Sequence, residues 1–246
     1  MSRVRTGRLP LSKLSACLVL AIVVVAAGCA TSQPVTWRPQ PIPPRPKWER
    51  KTPQPTPPPE TFGDLAVRPR SEWANAPPIA DRLDPMGTPT CVTVHHEGNA
   101  AYLMSSAQVC SHLRAIRAHQ IKTKAGGGLG AGDIAYHFLI DAGGTVWEGR
   151  PMCYQGAHAG NSTANRGNIG ICLFGDFNRQ RVGAAQKQSL HTLLVVLMRK
   201  YGIPSSRIYT HREVKRRFGL PPTQCPGTHL QAYVDQLRAH WRYASR

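Results

Sequence analysis

Three short stretches of this sequence carry side chains able to hold a metal ion. His95 and His96 end the apolar run CVTVHH, His211 follows the run IYT, and Cys225 stands between Pro221-Pro222 and Pro226-Gly227. A catalytic zinc site takes about three protein ligands and keeps one position open for water. Two neutral imidazoles and one thiolate meet that need. The gap of 14 positions from His211 to Cys225 suits a return from a strand end into a rigid, Pro-bounded loop. No local metal motif such as HExxH is present. On spacing alone, a buried His, a surface His and a disulfide Cys remain an open alternative.

These groups need elements to hold them. Cys91–His96 is β-branched, follows Pro89 and reads as a strand. Ser105–Gln120 reads as a helix, with Val109, Leu113 and Ile116 on one face. His137–Asp141 and Thr145–Glu148 flank Ala142-Gly143-Gly144 as a β-hairpin. Asn168–Gly175 is almost continuously apolar, as in a strand buried on both faces. Ala184–Tyr201 is helical, with Leu190, Leu193, Leu194 and Leu197 on one stripe and Gly202 beyond its end. Ile208–Thr210 is a short strand, and Thr228–Tyr243 a final helix carrying Leu230, Tyr233, Val234, Leu237 and Trp241. The alternation predicts one α/β domain over 67–246, a mixed central sheet flanked by helices, with the metal in a surface cleft. The Gly126–Gly132 stretch matches neither GxGxxG nor a P-loop, so it reads as an edge of that cleft and not as a nucleotide site.

The chain has 246 residues, 31 basic and 13 acidic, for a formal net charge of +18. Such a balance points to an anionic partner. No repeat of solenoid or propeller period is visible. Residues 1–28 hold Arg3, Arg5, Arg8 and Lys13 ahead of the apolar run Leu14–Ala27, which reads as an export signal too short for a comfortable membrane span. The ending Val25-Ala26-Ala27-Gly28-Cys29 resembles the lipobox of bacterial lipoproteins, which implies acylation at Cys29; Ala30 after it implies the outer membrane, facing the periplasm. Residues 31–60 carry 11 of the 22 prolines, so 29–66 reads as a Pro-rich tether. The charge divides as +4 over 1–28, +2 over 29–66 and +12 over 67–246, so basicity belongs mainly to the folded part. Export and the lack of a binding motif speak against nucleic acid. Cys91, Cys110, Cys153 and Cys172 allow three full pairings, and the sequence does not choose among them.

Seven words, in order, sharpen this reading: PRSEW at 69–73, VTVHHEGN at 92–99, DIAYHFLIDAGGTVWEGR at 133–150, GAHAGN at 156–161, NIGICLFGDF at 168–177, THREV at 210–214 and TQCPG at 223–227. Together they resemble the peptidoglycan recognition protein and type-2 N-acetylmuramoyl-L-alanine amidase family, which includes phage lysozyme-like amidases. The resemblance covers about 67–235. It implies a Zn2+ cofactor with His95, His211 and Cys225 as ligands, and catalytic roles for Tyr136, near the zinc-bound water, and for Thr223. Members that only bind peptidoglycan typically lack a ligand, and here all three are present. Cys172 stands where recycling amidases of the family carry a catalytic Glu, so the resemblance is to the branch that uses the tyrosine.

The expected activity is hydrolysis of the amide between the muramic acid lactyl group and L-Ala of peptidoglycan stem peptides. Peptidoglycan or muropeptides would be the partner of a monomer held at the membrane by its lipid. The alternative is a non-catalytic peptidoglycan-binding lipoprotein. His158, Asn161 and Arg166 are weaker substrate-contact candidates, and a structural role for His158 is equally open. His96 reads as structural. Glu97 alternates away from His96 along the strand and reads as non-catalytic. Lys215-Arg216-Arg217 reads as a solvated run. Pro151-Met152 follows Arg150 where many members have Gly-Trp, so the usual rule for the third stem residue does not apply.

Overall fold

The computed structural model describes Phe62 and residues 65–244; the signal, the Cys29 lipidation site and nearly all of the tether lie outside the described residues. Six strands form one sheet: β1 (Val67–Arg68), β2 (Cys91–His96), β3 (Phe138–Ile140), β4 (Val146–Glu148), β5 (Asn168–Leu173) and β6 (Ile208–Thr210), in the spatial order β1-β4-β3-β5-β2-β6. Only the β3–β4 hairpin is antiparallel; the other four pairings are parallel. Among the described residues five α-helices accompany it: α1 (Ser106–Ile121), α2 (Ser162–Asn165), α3 (Ala184–Tyr201), α4 (His211–Arg217) and α5 (Thr228–Ala244). The mixed α/β architecture is the expected one.

Side-chain alternation divides the sheet into two faces. Val92, Val94, Phe138, Ile140, Ile169, Ile171 and Leu173 point to the larger core, where they meet Leu190, Leu193, Leu194 and Leu197 of α3 and Leu230, Val234 and Leu237 of α5. Leu139 and Cys172 point the other way, into a second core with Val109 and Leu113 of α1 and with Trp73 and Trp147. A strand covered on both faces has no place for a solvent-facing side chain, which is why β5 reads as an unbroken apolar run. Truncating a residue such as Leu193 to Ala would cost about 2–5 kcal/mol.

Local signals set the ends of these elements. Ser105 caps α1 reciprocally: its hydroxyl accepts from Gln108 N–H, and the Gln108 carboxamide oxygen accepts from Ser105 N–H at 2.8 Å. Asp141 builds the β3–β4 turn by accepting from Gly143 N–H, Thr145 N–H and Trp147 Nε1–H. Gly144 in that turn has φ +87, and a Cβ there would meet Ala185 at 2.8 Å. α3 ends on Gly202 at φ 63, as its sequence position indicates.

Three elements escape the periodicity reading. β1 has two residues and α2 four, too few for a pattern. α4 begins at His211, where the sequence reads only as a strand end; its one buried residue is Val214. The Gly126–Gly132 stretch is preceded and entered by a single 3-10 turn at Lys124–Gly126. Cys91, Cys110, Cys172 and Cys225 carry free thiols.

Candidate metal centre

The sheet register brings the first two candidate ligands together. β2 and β6 are parallel neighbours with Val94 opposite Thr210, so the next residues, His95 and His211, emerge side by side at the carboxyl ends of both strands. That end of a parallel sheet is the usual place for a binding crevice. Thr210 is the N-cap of α4, with its N–H donating to Glu213 Oε2 at 2.8 Å, which turns the chain sharply after His211. Cys225 arrives from the loop between α4 and α5, where Arg212 N–H donates to the Cys225 carbonyl at 3.1 Å and clamps the loop against α4. The ligand-capable atoms of His95, His211 and Cys225 all lie within 4.8 Å of one another.

The hydrogen bonds of this group are unusual for buried polar atoms. His211 Nε2 is buried and has no hydrogen-bond partner; among the described residues the only other such side-chain nitrogen is Arg212 Nε, one residue on. Buried polar groups normally find partners, so an unpartnered imidazole nitrogen in a residue of this cluster marks a group whose hydrogen bonds the protein alone does not complete. Cys225 Sγ lies 3.7 Å from His95 Nδ1 and accepts from His96 N–H at 3.4 Å. Burial pushes the thiol up to about 12, with the His96 N–H and the Arg212 cation working against that rise. Burial, then the Lys215 and His96 charges, pull His211 down to about 4. Burial, then His158 and His211, hold His95 well below the ordinary histidine range. Two neutral imidazoles and a thiol that ionises only beside a cation form a donor set that fits zinc.

Around the triad stand the other sequence candidates. The Tyr136 ring centroid is 5.1 Å from that of His95. Burial raises its hydroxyl well above the ordinary range, so Tyr136 keeps its proton and acts as a hydrogen-bond donor. Thr223 Oγ1 accepts from Cys225 N–H at 3.2 Å, which steadies the ligand loop and leaves the Thr223 O–H to donate elsewhere.

His158 is buried, and both its ring nitrogens have protein partners: His95 Nε2 at 3.0 Å and the Asn168 carbonyl at 3.1 Å. No ring nitrogen is left for a substrate, so the contact role considered for it gives way to a structural one. Asn161 is exposed and caps α2 by accepting from Ala164 N–H; Arg166 is exposed at the other end of that helix. The geometry joins neither to the triad. His96 Nδ1 accepts from Phe177 N–H, in keeping with a structural reading. Glu97 is tied to His112 at 2.8 Å and to Asn99 at 3.1 Å. Met152 packs against the larger core. Lys215, Arg216 and Arg217 lie on α4, with Arg217 over the Tyr209 ring at 5.6 Å.

Comparison with known proteins agrees with this geometry. The family model described as N-acetylmuramoyl-L-alanine amidase matches residues 85–228, a span that contains all three metal-capable residues. Peptidoglycan-recognition protein SD of Drosophila simulans is 30% identical over 178 residues, covering 71% of this chain and 87% of that protein. Among solved structures, peptidoglycan recognition protein-LE in complex with tracheal cytotoxin, a monomeric diaminopimelic acid-type peptidoglycan, superposes with a TM-score of 0.55 at 26% identity, covering 66% of this chain and 88% of that one. The N-acetylmuramoyl-L-alanine amidase LysC of Clostridium intestinale gives 0.51 at 25% identity, covering 70% and 97%.

Proposed function

From the premise that this chain belongs to the N-acetylmuramoyl-L-alanine amidase family, which its matched residues 85–228 establish, we propose that it is a zinc-dependent amidase. The bond cut is the amide joining the muramic acid lactyl group to L-Ala of peptidoglycan stem peptides. The observation that carries this reading is that one ligand-capable atom each of His95, His211 and Cys225 lies within 4.8 Å of the others, in a group where His211 Nε2 is buried without a hydrogen-bond partner. The LysC neighbour, an amidase by name, and the LE neighbour, seen with a muropeptide, support the reaction and the substrate class.

His95, His211 and Cys225 would hold the metal. When bound, zinc supplies Lewis acidity, which makes water a stronger acid and an amide carbonyl a better electrophile. Tyr136, protonated throughout the working pH range, donates a hydrogen bond to the oxygen on which negative charge develops. Thr223 donates its remaining O–H towards the same oxygen while its lone pair keeps Cys225 in place. His96 N–H stabilises the Cys225 thiolate. Acylation of Cys29 would tether the enzyme to the outer membrane with the domain in the periplasm, where the net charge of +12 over 67–246 favours a carboxylate-bearing wall. Cys29→Ser should then move the protein from membrane to soluble fractions.

Incubation with muropeptides, with and without a chelator, tests the activity. The expected result is release of free stem peptide, stopped by chelator, restored by Zn2+ and absent in Cys225→Ala. Muropeptide binding without release would instead make the chain a recognition protein. Full activity in Cys225→Ala would end the metal reading.

A further inference from the structure

We propose that His158 is a positioning residue that selects which ring nitrogen His95 offers to a metal. The inference rests on the metal-holding reading above for its consequence, and on hydrogen bonds of the metal-free protein for its basis.

The backbone around His158 is fixed first. Asn165 Oδ1 accepts from both His158 N–H and Ala159 N–H, at 3.0 and 2.9 Å. The ring then enters a slot between two glycines. A Cβ on Gly156 or on Gly170 would come within 2.4 Å of His158 Cδ2. Neither glycine is at positive φ, so their backbone conformation does not call for glycine; room for the imidazole does. The slot aims one ring nitrogen at each of two partners.

The direction of the hydrogen bonds follows from one atom. The Asn168 carbonyl oxygen, 3.1 Å from His158 Nε2, can only accept. His158 therefore carries its proton on Nε2. Its Nδ1 lies 3.0 Å from His95 Nε2, a contact that holds a single proton. With the His158 proton already committed to the carbonyl, the shared proton sits on His95 Nε2. The His95 lone pair is then on Nδ1, the nitrogen that faces Cys225 Sγ at 3.7 Å. A main-chain carbonyl two rings away thus decides the ligand atom. Groups that hold the far nitrogen of a ligating histidine set its tautomer and orientation, and their loss typically costs 10–100-fold in metal affinity. Without His158, His95 is free to carry its proton on Nδ1, where it blocks ligation.

Two measurements on the protein test this. In the metal-free protein with ¹⁵N-labelled histidine, long-range ¹H–¹⁵N NMR should find His95 and His158 both protonated on Nε2; a His95 proton on Nδ1 overturns the proposal. Zn2+ affinity, read by competition with a chromophoric chelator, should fall about 10–100-fold in His158→Phe, which keeps a ring in the slot and removes the acceptor. His158→Gln offers a carboxamide oxygen to His95 and an N–H to Asn168, and should lose less than the Phe variant. Equal losses in the two, or an unchanged affinity in His158→Phe, overturn it. If the unaltered protein binds no Zn2+, the metal reading fails, and the His95 tautomer still decides this inference.

Discussion

Two buried polar assemblies in this domain differ both in composition and in completion. The first gathers Arg70, Arg117 and Arg150 around Asp133. Asp133 Oδ1 accepts from Arg70 Nη2 at 2.9 Å and Arg117 Nε at 2.5 Å, while Oδ2 accepts from Arg70 Nε at 3.2 Å. Arg150 spends its donors on the Ile134, Gln155 and Asp133 carbonyls. Burial pulls its guanidinium down to about 10, which still leaves it charged near neutrality. The second assembly, at His95, His211 and Cys225, presents lone pairs and a thiol to one another and leaves His211 Nε2 with nothing. A buried group of charges that is fully satisfied fixes structure; a cluster of neutral donor groups with an unpartnered nitrogen is the kind of arrangement a functional site uses.

Breaking each assembly should therefore fail differently. Asp133→Asn leaves buried guanidinium groups unpaired and should cost about 3–5 kcal/mol in chemical denaturation, with Zn2+ affinity of the folded fraction unchanged. An unshifted denaturation midpoint would show that the Asp133 assembly does not hold the fold. Tyr136→Phe, which changes a neighbour of the second assembly and none of its members, should do the opposite: kcat falls about 10²–10³-fold, as for loss of one oxyanion donor, while Tm and Zn2+ affinity hold.

Protons sharpen the contrast further. The Cys225 thiol keeps its proton up to about 12 without a metal, and both imidazoles are neutral near pH 7. Binding at neutral pH then expels one ligand proton, so affinity should rise about tenfold per unit of pH. As pH falls to about 4, His211 also takes a proton and the dependence steepens. Chelator competition across pH 5.5–8 would show a flat profile if the thiol were already ionised. The smallest expected effect is at the surface. Arg68 pairs with Glu72 where both are partly exposed, and Arg68→Ala should change stability by less than about 1 kcal/mol.

Much of the fold can be read in the chain because its longer elements repeat at their own period. β2, β5, α1, α3 and α5 each carry enough apolar positions to announce a face. α4 does not, since HREVKRR buries only Val214; the signal that would have found it is the Thr210-x-x-Glu213 capping pair. Met152 shows the reverse case. Pro151-Met152 stands where many members have Gly-Trp, so the stem-residue rule has nothing to read there, and the Met152 side chain packs on the larger core.

The sequence by itself determined the metal-capable residue types, the family words around them and the strands that lead to His95 and His211. Those are local properties, written in residue identity and in periods of 2 and 3.6. Tertiary structure alone decided that His95 and His211 lie abreast, through the β2–β6 register, and that Cys225 returns to within reach of both. It alone placed His158 between Gly156 and Gly170, with Asn168 behind it. The reason is physical: a ring nitrogen's role is set by what it faces, and for His95 those partners come from 63 and 130 positions away.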